Sequence, residues 1–193
     1  QEHKRIIFNG NGYDDAWIAE AEKRGLCNYR TTPDCMPHLL DEKNVKMLTS
    51  HQVFTVAELE SRCEIMLENY CKTVRIEATT MIDMARKQIL PAVESYVSDL
   101  AKASAAKKAV APAAACAYET GLITKLSVLT DQIAEKTDEL ETALLDLNGI
   151  ADTKEESFAI RDTILGKMAA LRAVADEAET QTAEKYWRFP TYG

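Results

Sequence analysis

The chain has 193 residues, of which 46% are apolar, and this is enough for one folded domain with a core. Its 31 acidic and 23 basic residues give a net charge of −8, which repels phosphate backbones and argues against a nucleic-acid partner. Because no apolar run approaches the roughly 20 residues that span a bilayer, we expect neither membrane insertion nor secretion.

The first predicted element is a single β-strand, Arg5–Phe8, which is followed by a glycine-containing loop and then by sequence that reads almost entirely as helix. A lone strand cannot satisfy its backbone N–H and C=O groups, so its partners must lie outside these residues. We therefore interpret residues 1–13 as the last strand and exit loop of a preceding domain. The absence of a starting methionine at Gln1 supports that interpretation.

Short connecting helices are predicted for residues 14–54. Asp14 or Asp15 can cap a helix over residues 17–23, which ends at Gly25 in the manner of a glycine after a helix C-terminus. Two more short helices are predicted over residues 33–40 and 41–52.

Three long helices are predicted between residues 55 and 185. The first begins at Thr55, because Thr55 and Glu58 form a capping box, and Pro91 predicts that it bends or breaks near residues 88–90. Its apolar stripe is Leu59, Cys63, Met66, Tyr70, Val74, Ala78, Met81, Ala85 and Ile89. An alanine-rich stretch then leads to a turn at residues 109–112.

The second and third long helices are predicted over residues 113–147 and 153–185. The stripe of the second is Leu122, Leu126, Leu129, Ile133, Leu140, Leu144 and Leu147, with Lys136 interrupting it. A capping box from Thr153 to Glu156 starts the third. Its inward residues are Phe158, Ile164, Leu165, Met168, Leu171, Val174, Ala175 and Ala178.

The predicted fold class is all-α. Short loops make consecutive long helices antiparallel neighbours, so residues 55–185 predict an elongated antiparallel helical bundle or long helical hairpin, with the single N-terminal strand attached. The last eight residues, 186–193, are too aromatic for a solvated tail and should dock on a surface.

The first candidate for a binding site is the turn Asn9–Gly12. Glycines before a helix permit close approach to a phosphate, but Asp15 stands where the third glycine of a dinucleotide-binding turn would be. Two acids at the helix start repel phosphate, so a tight structural turn is favoured over nucleotide binding.

Other candidates have simpler structural explanations. Cys35 and His38 have the spacing of a zinc pair, with His51 further along, but no second pair completes a tetrahedral set. The glutamate pairs Glu64/Glu68 and Glu135/Glu139 lack the Glu-x-x-His pattern of a di-metal bundle and are typical of a solvated face. The methionines Met66, Met81, Met84 and Met168 are interpreted as core filler. We therefore assign no catalytic, cofactor-binding or metal-binding residue.

The five cysteines are Cys27, Cys35, Cys63, Cys71 and Cys116. They are odd in number and include no Cys-x-x-Cys motif, which is typical of reduced thiols in a cytosolic protein. We expect no structural disulfide and a cytoplasmic location.

Several segments resemble the C-terminal portion of type III glutamine synthetases. They are His3 to Leu26 with its Ile-Ile-Phe-Asn-Gly-Asn-Gly-Tyr-Asp-Asp, Thr31-Thr-Pro, Lys43-Asn-Val, Glu68-Asn-Tyr-Cys-Lys-Thr73, Glu77-Ala-Thr-Thr-Met81, Lys87-Gln-Ile-Leu-Pro-Ala-Val93 and the final Tyr-Trp-Arg-Phe-Pro-Thr-Tyr-Gly. The resemblance runs from end to end and is densest in residues 3–26, 58–93 and 186–193.

The resemblance implies a cytoplasmic ligase of nitrogen metabolism that makes glutamine from glutamate and ammonia through γ-glutamyl phosphate, using ATP and Mg²⁺ or Mn²⁺. It also implies a double-ringed dodecamer. The metal-binding and nucleotide-binding residues of such enzymes lie upstream of this segment, so none is transferred to a position here, and we expect no cofactor in this piece.

Two functional hypotheses follow. In the first, the chain is the helical C-terminal extension of such a ligase, inactive by itself, which supports its own catalytic domain and the packing of homo-oligomer subunits. In the second, it is a stand-alone helical interaction module that docks a regulatory protein.

Overall fold

The computed structural model describes residues 3–190, which form two compact units, one up to Leu67 and the other from Glu68 onward. The α-helices are α1 (Asp15–Lys23), α2 (Thr32–Cys35), α3 (Glu42–Ser50), α4 (Val56–Met84), α5 (Leu90–Val110), α6 (Ala117–Asp146), α7 (Thr153–Ala159) and α8 (Leu165–Gln181). No β-strand occurs within residues 3–190, so the predicted all-α fold is confirmed. The helices of this range include none that is both long and apolar enough to cross a membrane.

The predicted strand Arg5–Phe8 is wrong for this chain. Lys4–Ile6 forms a 3₁₀ turn, in which the Ile6 and Ile7 amides donate to the His3 and Lys4 carbonyls. Because these residues find no strand partner within the described chain, local hydrogen bonds satisfy their backbone instead.

Helix α1 has the aspartate cap and the terminal glycine that the sequence predicts, but it begins at Asp15 rather than at residue 17. The Asp14 carboxylate accepts a hydrogen bond from the Ala16 amide at 3.0 Å, and this caps the N-terminus. Gly25 has a φ of +70°, and the Gly25 and Leu26 amides donate to the carbonyls of Glu22 and Ala21. This is a Schellman motif, which needs a residue that tolerates the left-handed conformation.

Thr55 and Glu58 form the predicted capping box at the start of α4. The Thr55 amide donates to the Glu58 carboxylate at 2.7 Å, and the Glu58 amide donates to the Thr55 hydroxyl at 3.3 Å. Beyond it, Leu59 and Cys63 are buried, and the Cys63 thiol donates to the Met36 carbonyl at 3.4 Å. The first turns of α4 thus pack on the 3₁₀ helix Met36–Leu40 that follows α2.

In the second unit, α6 packs antiparallel between α5 and α8. Near the start of α6, Glu119 pairs with Lys107 at the end of α5. Near the end of α6, Asp138 pairs with Arg86, which lies just before the start of α5. The order is also reversed between α6 and α8. Lys125 early in α6 pairs with Glu177 late in α8, and Glu139 late in α6 pairs with Lys167 early in α8. The antiparallel arrangement predicted for the long helices is therefore present in this unit.

The core of the second unit follows the predicted stripe of α6. Leu126, Ile133 and Leu140 are completely buried. Lys136 interrupts the predicted stripe between Ile133 and Leu140, but in the structure the neighbouring Thr137, which is 1% exposed, takes the buried position there. The Thr137 hydroxyl donates to the Ile133 carbonyl at 2.6 Å, so a polar side chain is buried without losing its hydrogen bond.

Pro91 does not end the helix. The residues before it, Ala85–Ile89, form a π-helical turn in which the Leu90 amide donates to the Ala85 carbonyl, and α5 continues from there. The wider turn accommodates a proline that has no N–H and crowds the preceding turn. A second π-helical turn, Ile160–Ile164, joins α7 to α8 and was not predicted.

One predicted helix start and one predicted cap differ in the structure. The second long helix begins at Ala117 rather than residue 113, after Cys116, which has a left-handed φ of 48°. The third begins at Thr153 as predicted, but its N-cap is Asp152, whose carboxylate accepts from the Glu155 amide at 2.8 Å. Among the methionines, Met66 is 47% exposed and is therefore wrongly predicted as core.

Replacing Leu140 with alanine should lower the free energy of unfolding by about 3 kcal/mol, because a fully buried side chain leaves a cavity between three helices. Urea unfolding of the purified chain measures this. Leu145→Ala is the matched control on the same helix, since Leu145 is 63% exposed and should cost less than about 0.5 kcal/mol. Equal effects of the two substitutions would contradict this description of the core.

Candidate interaction surfaces

The glycine-containing turn at residues 9–12 is closed by its own hydrogen bonds. The Asn11 side-chain oxygen accepts from the Tyr13 amide at 3.1 Å, and the Asn11 carbonyl accepts from the Asp14 amide at 3.3 Å. Because the Asp14 carboxylate also occupies the helix N-terminus, the geometry is that of the tight structural turn.

Cys35, His38 and His51 are not brought together as a set of ligands. The imidazole of His38 lies 3.1 Å from the Asp41 carboxylate and stacks on Tyr29 with ring centroids 4.2 Å apart. Among residues 3–190, no group of three or more histidine, cysteine, aspartate or glutamate side chains has the geometry to hold a metal ion.

The predicted acidic faces carry ion pairs. Glu139 on α6 accepts from Lys136 at 2.6 Å and from Lys167 at 3.3 Å, and these two cations lower the pKa of its carboxyl group. Glu68 pairs with Lys72 one turn along α4 at 2.8 Å. These contacts are those of solvated helix surfaces, where each pair contributes little.

Two arginines that the sequence analysis did not single out connect the helices of the second unit. Arg86 donates to both oxygens of Glu141 and to Asp138, at 2.6 to 2.7 Å. Arg75 donates to Glu156 at 2.6 Å. No short motif marks such pairs, because their partners lie more than fifty residues away in the sequence.

The aromatic C-terminal segment docks on the second unit. Trp187 packs against the hydrophobic core, in a groove whose walls include Met81, Ala85 and Leu171. Phe189 meets the Trp187 ring edge to face at 5.8 Å. The predicted docking thus holds as far as residue 190, and residues 191–193 lie outside the described part of the chain.

A hydrogen bond fixes the start of the same segment. The Tyr186 hydroxyl donates to the Asp99 carboxylate at 2.7 Å, and this bond lowers the pKa of Asp99. The Tyr186 ring lies 5.0 Å from that of Tyr96 on α5. The segment is therefore held both by apolar contact and by a specific polar contact.

Exposed apolar side chains are concentrated in the first unit. Of the sixteen large exposed apolar residues found among residues 3–190, eleven precede residue 68. They are Ile6, Ile7, Phe8, Tyr13, Tyr29, Leu40, Met47, Val53, Val56, Ile65 and Met66. This concentration of exposed apolar side chains in a unit of about a third of the chain makes the unit a candidate interface.

The fold and these surfaces define an all-α helical module. A family model described as the glutamine synthetase C-terminal domain matches residues 1–108. The chain belongs to the glutamine synthetase C-terminal domain family, and the resemblance seen in its sequence is thereby confirmed.

Curated relatives match almost the whole chain. A glutamine synthetase of Butyrivibrio fibrisolvens is 39% identical over 191 residues, which are 99% of this chain and 27% of the relative. A type-3 glutamine synthetase of Dictyostelium discoideum is 27% identical over 195 residues, covering 99% of this chain and 26% of that protein. A glutamine synthetase of Bacteroides fragilis is 28% identical over 191 residues, with coverages of 97% and 26%. The chain thus spans about a quarter of the length of these relatives, in their C-terminal part.

The ion pair of Arg86 should make stability depend on pH. The hydrogen bond from Arg86 lowers the pKa of Glu141 below the 4.5 of an unperturbed glutamate. The unfolded chain therefore binds this proton more readily, so the stabilisation is complete above about pH 4.5 and is lost as the pH falls through the lower folded pKa. Arg86→Met should reduce the loss of unfolding free energy between about pH 7 and pH 3, measured by urea unfolding.

The neighbouring Lys87 provides the control for that experiment. It pairs with Asp83 one turn away on an exposed surface, so Lys87→Met should leave the pH dependence as in the original chain. An Arg86→Met variant whose pH dependence equals that of the original chain would contradict the assignment.

Trp187 should stabilise the second unit through its apolar contacts. Its Nε1 atom is buried and has no hydrogen-bond partner among the described residues, so Trp187→Phe loses no hydrogen bond and should cost less than about 1 kcal/mol. Trp187→Ala should cost about 2 kcal/mol, because it empties part of the groove. Urea unfolding distinguishes the two, and an alanine variant as stable as the original chain would show that the docked segment adds nothing.

Proposed function

We propose that this chain is the C-terminal helical part of an ATP-dependent glutamate–ammonia ligase. Such an enzyme makes glutamine through γ-glutamyl phosphate, and the proposal includes ATP and Mg²⁺ or Mn²⁺ as requirements of the whole protein. Membership of the glutamine synthetase C-terminal domain family and the curated names of the relatives support this. We also propose a cytoplasmic location, where five free cysteines would stay reduced.

The proposed task of the chain is structural: it supports the catalytic part of the enzyme and the packing of subunits. The observation that carries this proposal is the concentration of large exposed apolar side chains in the first unit. Apolar surface that stays in water costs free energy, whereas the same surface placed against another part of the protein stabilises the assembly.

Phosphoryl transfer is proposed to take place outside this chain. Cationic side chains that neutralise a transferring phosphoryl group must be available to it. Here the guanidinium groups of Arg75 and Arg86 are bound to carboxylates of the chain's own helices, at 2.6 Å from Glu156 and Glu141. These arginines therefore act between helices, and we propose that the chain alone is inactive.

The test is formation of γ-glutamyl hydroxamate from glutamate, ATP and hydroxylamine by two purified proteins. One is the full-length protein that contains this chain, and the other is the chain of 193 residues by itself. We expect activity from the full-length protein alone. Turnover by the isolated chain would overturn the proposal that this chain is inactive by itself. An inactive full-length protein would overturn the proposal that it is a glutamate–ammonia ligase.

The mass of the full-length protein in solution tests the assembly. We propose a double-ringed dodecamer of identical subunits, and light scattering should then give about twelve times the subunit mass. A monomeric full-length protein would instead favour the second hypothesis, in which the apolar surface of the first unit docks a separate regulatory protein.

A further inference from the structure

One cluster in the first unit presents apolar side chains on a fixed backbone. Ile6 and Ile7 are 62% and 61% exposed, and Tyr13 is 99% exposed. Together with Phe8 they form a group that we call the N-terminal patch. Side chains of this kind are normally withdrawn from water, so their exposure needs a cause.

The N-terminal patch is held in place by α1. The Phe8 ring stacks on Trp17 with centroids 4.1 Å apart and an interplanar angle of 23°. The guanidinium group of Arg24, which lies 5.4 Å from the centre of the Trp17 ring, also donates to the Ile7 carbonyl at 3.0 Å. Two independent contacts thus attach this short segment to a capped helix, and its exposed side chains belong to a defined surface.

The turn beneath the patch supports the same geometry. A Cβ atom added at Gly10 would meet the Phe8 ring at 2.6 Å, whereas one added at Gly12 would meet nothing within 4 Å. Gly10 therefore permits the turn to pack closely against Phe8 and to hold that ring on Trp17. The patch is pre-organised, which lowers the entropy cost of covering it.

The position of the patch in the chain indicates what covers it. In the curated relatives, the matched segment is the last quarter of a protein about four times as long. The polypeptide that precedes the matched segment in those relatives enters within a few residues of Ile6. A surface so close to the entry point meets that polypeptide at high effective concentration, which a second copy or a separate partner does not match.

We propose that the N-terminal patch is an intramolecular docking surface for the part of the protein that precedes this chain in its full-length relatives. Ile6, Ile7 and Tyr13 insert into that part, while Phe8, Trp17 and Arg24 fix the angle at which they are presented. This inference rests on the proposed function, since it specifies which surface supports the catalytic part.

Hydrogen exchange measured by mass spectrometry tests the proposal, with the full-length protein compared with the isolated chain. Peptides that cover residues 6–13 should exchange at least about tenfold more slowly in the full-length protein, because the docked surface opens less often. Equal exchange in the two proteins would overturn the proposal. So would protection in the isolated chain that grows with its concentration, since this would identify a second copy as the occupant.

Two variants of the full-length protein extend the test. Ile7→Asp places a charge in the contact and should abolish the protection of residues 6–13. Val110→Asp introduces the same charge at a side chain that is 89% exposed in the second unit, and should leave the protection intact. Gly10→Ala should weaken the protection and Gly12→Ala should not, and these smaller changes remain informative if the aspartate variant fails to fold.

The hydroxamate assay distinguishes a failure of the docking proposal from a failure of the proposed ligase function. If the original full-length protein is active but residues 6–13 are unprotected, the docking surface is wrong and the ligase stands. If it is inactive, the ligase itself is wrong, and the inference that depends on it falls as well.

Discussion

The burial of one face of α6 between α5 and α8 is the constraint on which the second unit depends. Leu126, Ile133 and Leu140 are fully buried along it, and each contributes roughly 1.5–3 kcal/mol relative to exposure. The ion pairs of Arg86 and Arg75 join helices around this core. Those of Arg86 are exposed and contribute little to stability, whereas the Arg75–Glu156 pair is partly buried. The groove that receives Trp187 is lined by residues of α4, of the π-helical turn Ala85–Ile89 and of α8.

The first unit has a different balance. Its buried side chains are few, among them Ala21, Leu59 and Cys63, whereas large apolar residues remain in water over much of its surface. Caps and turns fix where its helices begin and end. Such local interactions bury little apolar surface. A unit of this kind gains stability when another surface covers it. This agrees with a chain that corresponds to about a quarter of its glutamine synthetase relatives.

The sequence predicted those features whose cause is local. The capping box at Thr55 and the glycine after α1 each depend on a few adjacent residues. The apolar stripe of α6 follows from helical periodicity. The π-helical turn Ile160–Ile164 could not be predicted, because no proline or glycine lies within it and its register is set by burying Ile160 and Ile164. The strand at residues 5–8 was wrong because extended structure depends on a partner, which a local pattern does not contain. The exposure of Met66 was missed for a related reason, because this residue fits the apolar period of the helix and is nevertheless 47% exposed.

We propose that the exposed apolar side chains of the first unit are covered in the full-length protein. The rate of methionine oxidation by dilute hydrogen peroxide, measured by mass spectrometry, tests it directly, because oxidation follows exposure. Met47 and Met66 are 51% and 47% exposed in this chain, and Met168, which packs against the core of the second unit, is the internal reference. We expect Met47 and Met66 to be oxidised more slowly in the full-length protein than in the isolated chain, relative to Met168. Unchanged relative rates would contradict it.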